Sequence, residues 1–207
     1  MNNVTVITHP LVQQGLTRLR DKRTQPQAFR RGLEEISTLM VYEATRSLRV
    51  IDVPVETPLE ATQGFQLEHE ILLVPILRAG LGMLASLLEL LPNARVGFIG
   101  LKRDEITLRP VAYHQSLPPN LGGFEIIVVD PMLATGGSVV AALDLLLEKG
   151  AKYLRLVNLV ASPEGISKVQ KHHPAVPIFT AAIDRQINEK GFILPGLGDA
   201  GDRLFGT

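Results

Sequence analysis

The sequence predicts an α/β fold in which a mostly parallel sheet is flanked by helices on both faces. Two observations predict it. Apolar runs of strand length recur at residues 71–76, 96–101, 125–130, 154–160 and 176–181, and they are continuous rather than alternating, as strands buried on both faces must be. Stretches with helical character, 82–91, 137–149 and 163–172, separate several of these runs, and a helix is the usual connection between parallel strands. In such a sheet the loops at the carboxyl ends of the strands carry the function.

The remaining elements follow in order. Pro10 suits the first turn of a helix over residues 10–21, which opens after Thr8 and His9. A second helix spans roughly 27–48: Phe29, Leu33, Ile36, Met40 and Ala44 form an apolar stripe, with Arg30, Arg31, Glu34 and Glu35 mostly off it. The Pro-containing stretch 53–58 then breaks the pattern. In the stretch 106–117, Ile106, Leu108 and Tyr113 with Pro110, Pro118 and Pro119 suggest a short hairpin or arm projecting from the sheet. With no repeat, linker or low-complexity tract, the 207 residues are expected to form one domain.

Composition narrows the function. Apolar residues make up 45% of the chain, enough for a core without disulfides or metals. Lys plus Arg and Asp plus Glu each number 21, which argues against a general nucleic-acid binder held by phosphate neutralisation. The absence of cysteine, of a basic-then-apolar leader and of any run of membrane-spanning length points to a cytoplasmic protein away from membranes. His9, His69 and His114 lack metal-ligand spacing, so no protein metal site is expected, and with no serine in a nucleophile elbow covalent hydrolase chemistry has no support.

The strongest chemical signal is Val128-Val129-Asp130-Pro131-Met132-Leu133-Ala134-Thr135-Gly136-Gly137-Ser138. An apolar strand ends in an acid, and a loop of small residues opens onto a helix. Such a loop aims backbone N–H groups and the helix dipole at one point, with Thr135 and Ser138 as hydroxyl donors, so it suits one terminal phosphate. Asp130 is placed to accept hydrogen bonds from neighbouring hydroxyls, as on a ribose. The loop is neither a Walker loop nor a dinucleotide fingerprint; the plain alternative is a strand-to-helix turn with Asp130 as a cap.

Arg78 directly follows a buried strand in Leu77-Arg78-Ala79-Gly80-Leu81-Gly82, and Lys102-Arg103 follow the next. An arginine there points towards an anion in a cleft or pairs with a structural carboxylate, and the basic pair could equally be solvated. One phosphate cradle and two cationic strand ends suit a ribose carrying a 5-phosphate and a pyrophosphate, though a dinucleotide or sugar nucleotide has the same separated charges. The tail from Gly191 to Thr207 has five glycines but also Phe192, Ile193, Leu194, Leu197, Leu204 and Phe205, too apolar for a solvated end. Its exposed backbone groups beside apolar walls suit a small planar heterocycle. Asp199 and Asp202 are candidates for ribose or metal contact, or simply turn residues.

These motifs resemble the type I phosphoribosyltransferases. Asp130 to Ser138, Leu77 to Gly82, and Gly198-Asp199-Ala200-Gly201-Asp202-Arg203 are similar to the uracil phosphoribosyltransferase family, as are His9-Pro10-Leu11-Val12 and Tyr42-Glu43-Ala44-Thr45, so the resemblance runs along essentially the whole chain. It implies a type I phosphoribosyltransferase-like fold with a projecting β-arm at about 104–120 acting as a hood, and a base-binding segment at about 191–207. It implies conversion of uracil and 5-phosphoribosyl 1-pyrophosphate to UMP and diphosphate in pyrimidine salvage. By position, Pro131, Met132, Leu133, Ala134, Thr135, Gly136, Gly137 and Ser138 with Asp130 would hold the 5-phosphate and ribose. Arg78 and Arg103 would hold the pyrophosphate. Ile193, Gly198, Asp199 and Ala200 would read uracil, Asp199 also reaching the phosphoribosyl substrate. Arg78, Arg103, Asp130 and Asp199 would carry the catalysis. Pro131 stands where the wider class has a second acid, so Mg2+ would be held mainly by substrate oxygens. The resemblance also implies a homodimer or larger homo-oligomer and, as in some bacterial members, GTP as an allosteric activator. The rival readings are a phosphoribosyltransferase for another base and a non-catalytic nucleotide-sensing regulator on the same fold.

Overall fold

The computed structural model describes residues 3–103 and 110–207, apart from the side chains of Arg103 and Pro110. A short strand, β1 (Val4–Val6), leads into α1 (Pro10–Arg20) and α2 (Pro26–Ala44), and a separate antiparallel ribbon follows, β2 (Val50–Glu56) with β3 (Ala61–Leu67). The chain then runs through β4 (Glu70–Leu77), α3 (Leu81–Leu90), β5 (Arg95–Val96), β6 (Phe98–Arg103), β7 (Pro110–Ser116), β8 (Phe124–Val129) and β9 (Met132–Leu133). It ends with α4 (Gly137–Glu148), β10 (Tyr153–Ala161), α5 (Pro163–His172), β11 (Ile178–Ile183), β12 (Gln186–Ile187), β13 (Ile193–Leu194) and α6 (Ala200–Phe205).

The main sheet runs β1-β11-β10-β8-β4-β6-β7, with β5 beside β4 and β9 beside β10. Every pairing in it is parallel except β6 with β7. The pleat sorts the core into two layers, because successive side chains on a strand point to opposite faces. Ile71, Leu73, Ile127, Val129, Val157 and Leu159 pack towards α1, α2, α3 and α6. Their alternating neighbours Leu72, Val74, Ile126, Val128 and Leu156 pack towards α4 and α5. Both faces are therefore dry, which is why these strands read as unbroken apolar runs. No helix among the described residues is long and apolar enough to cross a membrane.

Four local expectations change. The second helix stops at Ala44, short of the expected residue 48, where Thr45 caps it by donating its N–H to the Val41 carbonyl. The stretch 53–58, expected to be a break, lies largely inside a seven-residue strand: Val50, Ile51, Val53 and Val55 are β-formers, and a two-stranded ribbon tolerates Pro54 because half of its N–H groups face outwards. The arm is rooted in the main sheet, since β7 pairs with β6 from Phe98 opposite Ser116 to Arg103 opposite Pro110. Its residues 104–109 lie outside the described residues. The Gly-rich tail ends in a helix, capped at its start by Asp199 and at its end by Gly206 with φ 73°.

Candidate functional site

Three distant stretches converge on one cavity of about 250 Å³ at the carboxyl ends of the strands. Ala79, just past β4, meets Asp130, Met132 and Ala134, just past β8, and both meet Gly191 to Ile193 and Gly198 to Gly201 from the tail. A hollow beside β1 and the end of α2 is larger, about 730 Å³, and is lined by His9, Pro10 and Glu43 but by no residue of the Asp130 loop, the Arg78 turn or the tail.

The loop after β8 is built by interrupting the strand. Val157 lies opposite Val129 and Val160 opposite Met132, so β9 resumes along β10 in the register of β8. Asp130 and Pro131 form the break, and the Pro131 carbonyl accepts from Leu159 N at 3.0 Å and Val160 N at 3.2 Å. Gly136 then turns at φ 73° into α4, a conformation that favours glycine, and α4 has no side-chain cap on its first turn. The helix therefore presents free N–H groups beside Thr135 and Ser138.

The loop is braced by α5. Ser162, the N-cap of α5, donates its hydroxyl to the Ala134 carbonyl at 2.6 Å, while its N–H reaches the Leu133 carbonyl at 2.9 Å. A Cβ on Gly165 would run into the Leu133 and Ala134 carbonyls, and a Cβ on Gly136 would lie 2.9 Å from the Gly165 carbonyl. Sequence reasoning missed Ser162 and Gly165. Ser162-Pro163-Glu164 is a legible helix start, but nothing in it names the loop it supports.

Burial pushes the Asp130 carboxyl up from 3.8 to about 7, against a smaller lowering by the N–H of Met132, which it accepts at 3.5 Å. Leu133 is fully buried, so its side chain belongs to the core and its carbonyl is taken by Ser162. Met132 and Ala134 face the cavity instead.

Arg78 follows β4 through a cis peptide, with a side chain 60% exposed. One guanidinium nitrogen lies 3.7 Å from the Asp202 carboxylate, and the group sits 5.9 Å from the centre of the Phe205 ring. Arg78 thus has a carboxylate partner and a largely exposed guanidinium, and it is not among the residues lining the cavity. Gly80 lets the turn close, since a Cβ there would approach the Ile76 and Val129 carbonyls to 2.7 Å. Arg103 is the last residue of β6, and its side chain lies outside the described residues.

In the tail, Ile193 and Ala200 are buried walls, and Gly198 takes φ 77°. Asp199 accepts the Asp202 N–H at 3.0 Å, so it caps α6 as well as lining the cavity. Gly191 brings the tail back against the loop, a Cβ there lying 3.6 Å from Thr135. Among the described residues, Asp130 and Asp199 are the only carboxylates lining this cavity, and there is no cluster of three or more ligating side chains. That donor set fits a metal ion brought in on substrate oxygens better than one caged by the protein.

The chain is similar to known proteins along nearly its whole length. A family model described as uracil phosphoribosyltransferase matches residues 6–207. A uracil phosphoribosyltransferase of Dictyoglomus turgidum is 54% identical over 205 residues, covering 99% of each chain. The solved structure of the AQ2163 protein from Aquifex aeolicus superposes with a TM-score of 0.91 at 38% identity, covering 98% of this chain and 97% of that one. An adenine phosphoribosyl transferase from Trypanosoma brucei shares the fold alone, with a TM-score of 0.57 at 12% identity, over 92% of this chain and 88% of that one. With a family model matching residues 6–207 and a relative 54% identical over 99% of each chain, the chain belongs to the uracil phosphoribosyltransferase family.

Proposed function

We propose that this chain transfers the phosphoribosyl group of 5-phosphoribosyl 1-pyrophosphate to uracil, releasing UMP and diphosphate, as an enzyme of pyrimidine salvage. Family membership supports the activity. The site map rests on one observation: the strand end at Ala79, the loop at Asp130 and the tail at Gly198 share a single cavity.

In this reading the 5-phosphate takes the open first turn of α4, where unpaired N–H groups and the helix dipole favour an anion. Thr135 and Ser138 add hydroxyl donors. Asp130 accepts from the ribose hydroxyls, and these donors favour the ionised carboxylate that burial alone disfavours. Arg78 and Arg103 hold the diphosphate. As the bond from the ribose to the diphosphate breaks, negative charge grows on the leaving oxygens, and guanidinium groups, which stay charged, stabilise it. An exposed ion pair such as Arg78 with Asp202 is worth at most ~1 kcal/mol, so Arg78 gives up little in turning to substrate. Magnesium, held by the diphosphate oxygens with Asp199 nearby, would supply further positive charge at the leaving group. Backbone groups at Ile193 and Gly198 to Ala200 read uracil, and cytosine, with its reversed donor and acceptor pattern, leaves buried groups unpaired at roughly 1–3 kcal/mol each. The arm at about 104–120 serves as the hood.

The test is product formation from uracil, 5-phosphoribosyl 1-pyrophosphate and magnesium. Arg78→Ala is expected to lower turnover about a hundredfold, the usual effect of removing one electrostatic donor. Asp130→Ala should cost at least about tenfold, and if neither change reaches that loss the map is wrong. We also read the chain as self-associating. The β2–β3 ribbon exposes Leu59 at 95% and Phe65 at 73%, and an isolated two-stranded ribbon is marginally stable in water. Light scattering should give a mass of at least two chains, and a monomer at micromolar concentration would remove this reading.

A further inference from the structure

We propose that Arg20 and Asp184 are a positioning pair for the base-reading segment, setting uracil affinity and base selectivity without touching substrate. The inference rests on the functional reading above and adds residues to it.

Arg20, the last residue of α1, grips Asp184 with two hydrogen bonds of 2.7 Å each. Both members of the pair also bond one residue of the tail. Arg20 Nη1 donates to the Gly196 carbonyl at 2.8 Å, and Asp184 Oδ2 accepts the Gly196 N–H at 2.8 Å. Both polar groups of Gly196 are therefore claimed by the two sides of a single ion pair. Asp184 is buried and is itself fixed to the sheet, its N–H donating to the Ala161 carbonyl at 2.8 Å beyond the end of β11. Gly196 takes φ 59°, and any Cβ there would strike the Ile193 carbonyl.

A second guanidinium works on the next residue. Arg203 of α6 donates to the carbonyls of Leu197 and Asp21, at 2.8 Å each, and to that of Leu19, lying 4.3 Å over the Phe29 ring. Two successive carbonyls, 196 and 197, are thus tied to the body of the protein immediately before Gly198, Asp199 and Ala200 line the cavity.

The energetics favour positioning over bulk stability. A buried ion pair stabilises a fold little compared with apolar residues of the same shape, because desolvation offsets the attraction. Fixing one Gly-rich turn against the sheet is what this geometry accomplishes. A pocket that reads a base through backbone groups needs those groups held to within roughly 0.5 Å, and a shift of about 1 Å can cost a hundredfold.

The experiment measures steady-state kinetics of purified Arg20→Met, Arg20→Lys and Asp184→Asn, varying uracil and 5-phosphoribosyl 1-pyrophosphate separately, with cytosine as competing base. Wild type is run first: no turnover of uracil would overturn the functional reading itself. Given wild-type turnover, Arg20→Met should raise KM for uracil by about tenfold or more while KM for the phosphoribosyl donor stays within about twofold. Its preference for uracil over cytosine should narrow, and Arg20→Lys should recover part of both. Asp184→Asn keeps the shape of the buried side chain, so it reports even if Arg20→Met fails to fold. Equal movement of both KM values, or a lower melting temperature with unchanged kinetics in the folded variants, would overturn the proposal.

Discussion

The loop after β8 and the C-terminal tail border the same cavity, yet they are held there by different means. The loop is shaped by its own strand–break–helix sequence, with bracing from Ser162 and Gly165 one crossover later. The tail is tied to the far end of the chain: Arg20, paired with Asp184, holds Gly196, and Arg203 reaches back to Leu19 and Asp21. One is a local device on a rigid strand end. The other is a glycine-rich segment made rigid by long-range pairs. On the functional reading, damage to the first should weaken the phosphoribosyl donor and damage to the second should weaken the base.

Asp130→Asn should produce the largest effects, and of opposite sign. Turnover should fall at least about tenfold, while the substrate-free protein gains stability. The Asp130 carboxyl is lifted from 3.8 to about 7, so between those pH values the folded protein keeps a proton that the unfolded chain has lost. Its contribution is complete below pH 3.8 and is lost as pH rises through 7, with an upper bound of roughly 4 kcal/mol. Asparagine does not titrate, so the melting-temperature gap between variant and wild type should open from pH 4 to 7 and stay level above. A gap independent of pH would show that burial of Asp130 carries no such cost.

Gly165→Ala comes next. Its Cβ would meet the Leu133 and Ala134 carbonyls, which are backbone and cannot swing away, so overpacking of about 1–3 kcal/mol is expected. KM for the phosphoribosyl donor should rise well ahead of KM for uracil, and the reverse order would erase the contrast between the two regions. Ser162→Ala should give the smallest effect, about 1 kcal/mol in chemical denaturation, from a lost helix cap and a lost bond to Ala134. Its kinetic change should resemble that of Gly165→Ala in kind and be weaker in degree.

Sequence legibility followed the same division. The segment from Val128 to Ser138 was readable because every feature of it is local: an apolar strand, an acid, glycines and a helix start within eleven residues. Arg78 was readable as a cation at a strand end, but its Asp202 partner was not, since that pairing joins residues from opposite ends of the fold. The β2–β3 ribbon was missed because Pro54 and Pro58 masked an alternation of β-formers, and α6 because five glycines suggested a loop. Glycine count was a poor guide there: Gly201 lies inside the helix and Gly206 ends it.

By itself, then, the amino-acid order determined the alternation of buried strands and helices, the strand–loop–helix from Val128 to Ser138 and the family, because each depends on contacts between near neighbours or on a motif continuous in the chain. Tertiary structure alone decided that the tail stands against Thr135, that Arg20 and Asp184 hold Gly196, and that burial moves the Asp130 carboxyl towards neutrality. Those facts depend on distances through space between residues up to 176 positions apart, and on exclusion of water by packing, neither of which any local pattern encodes.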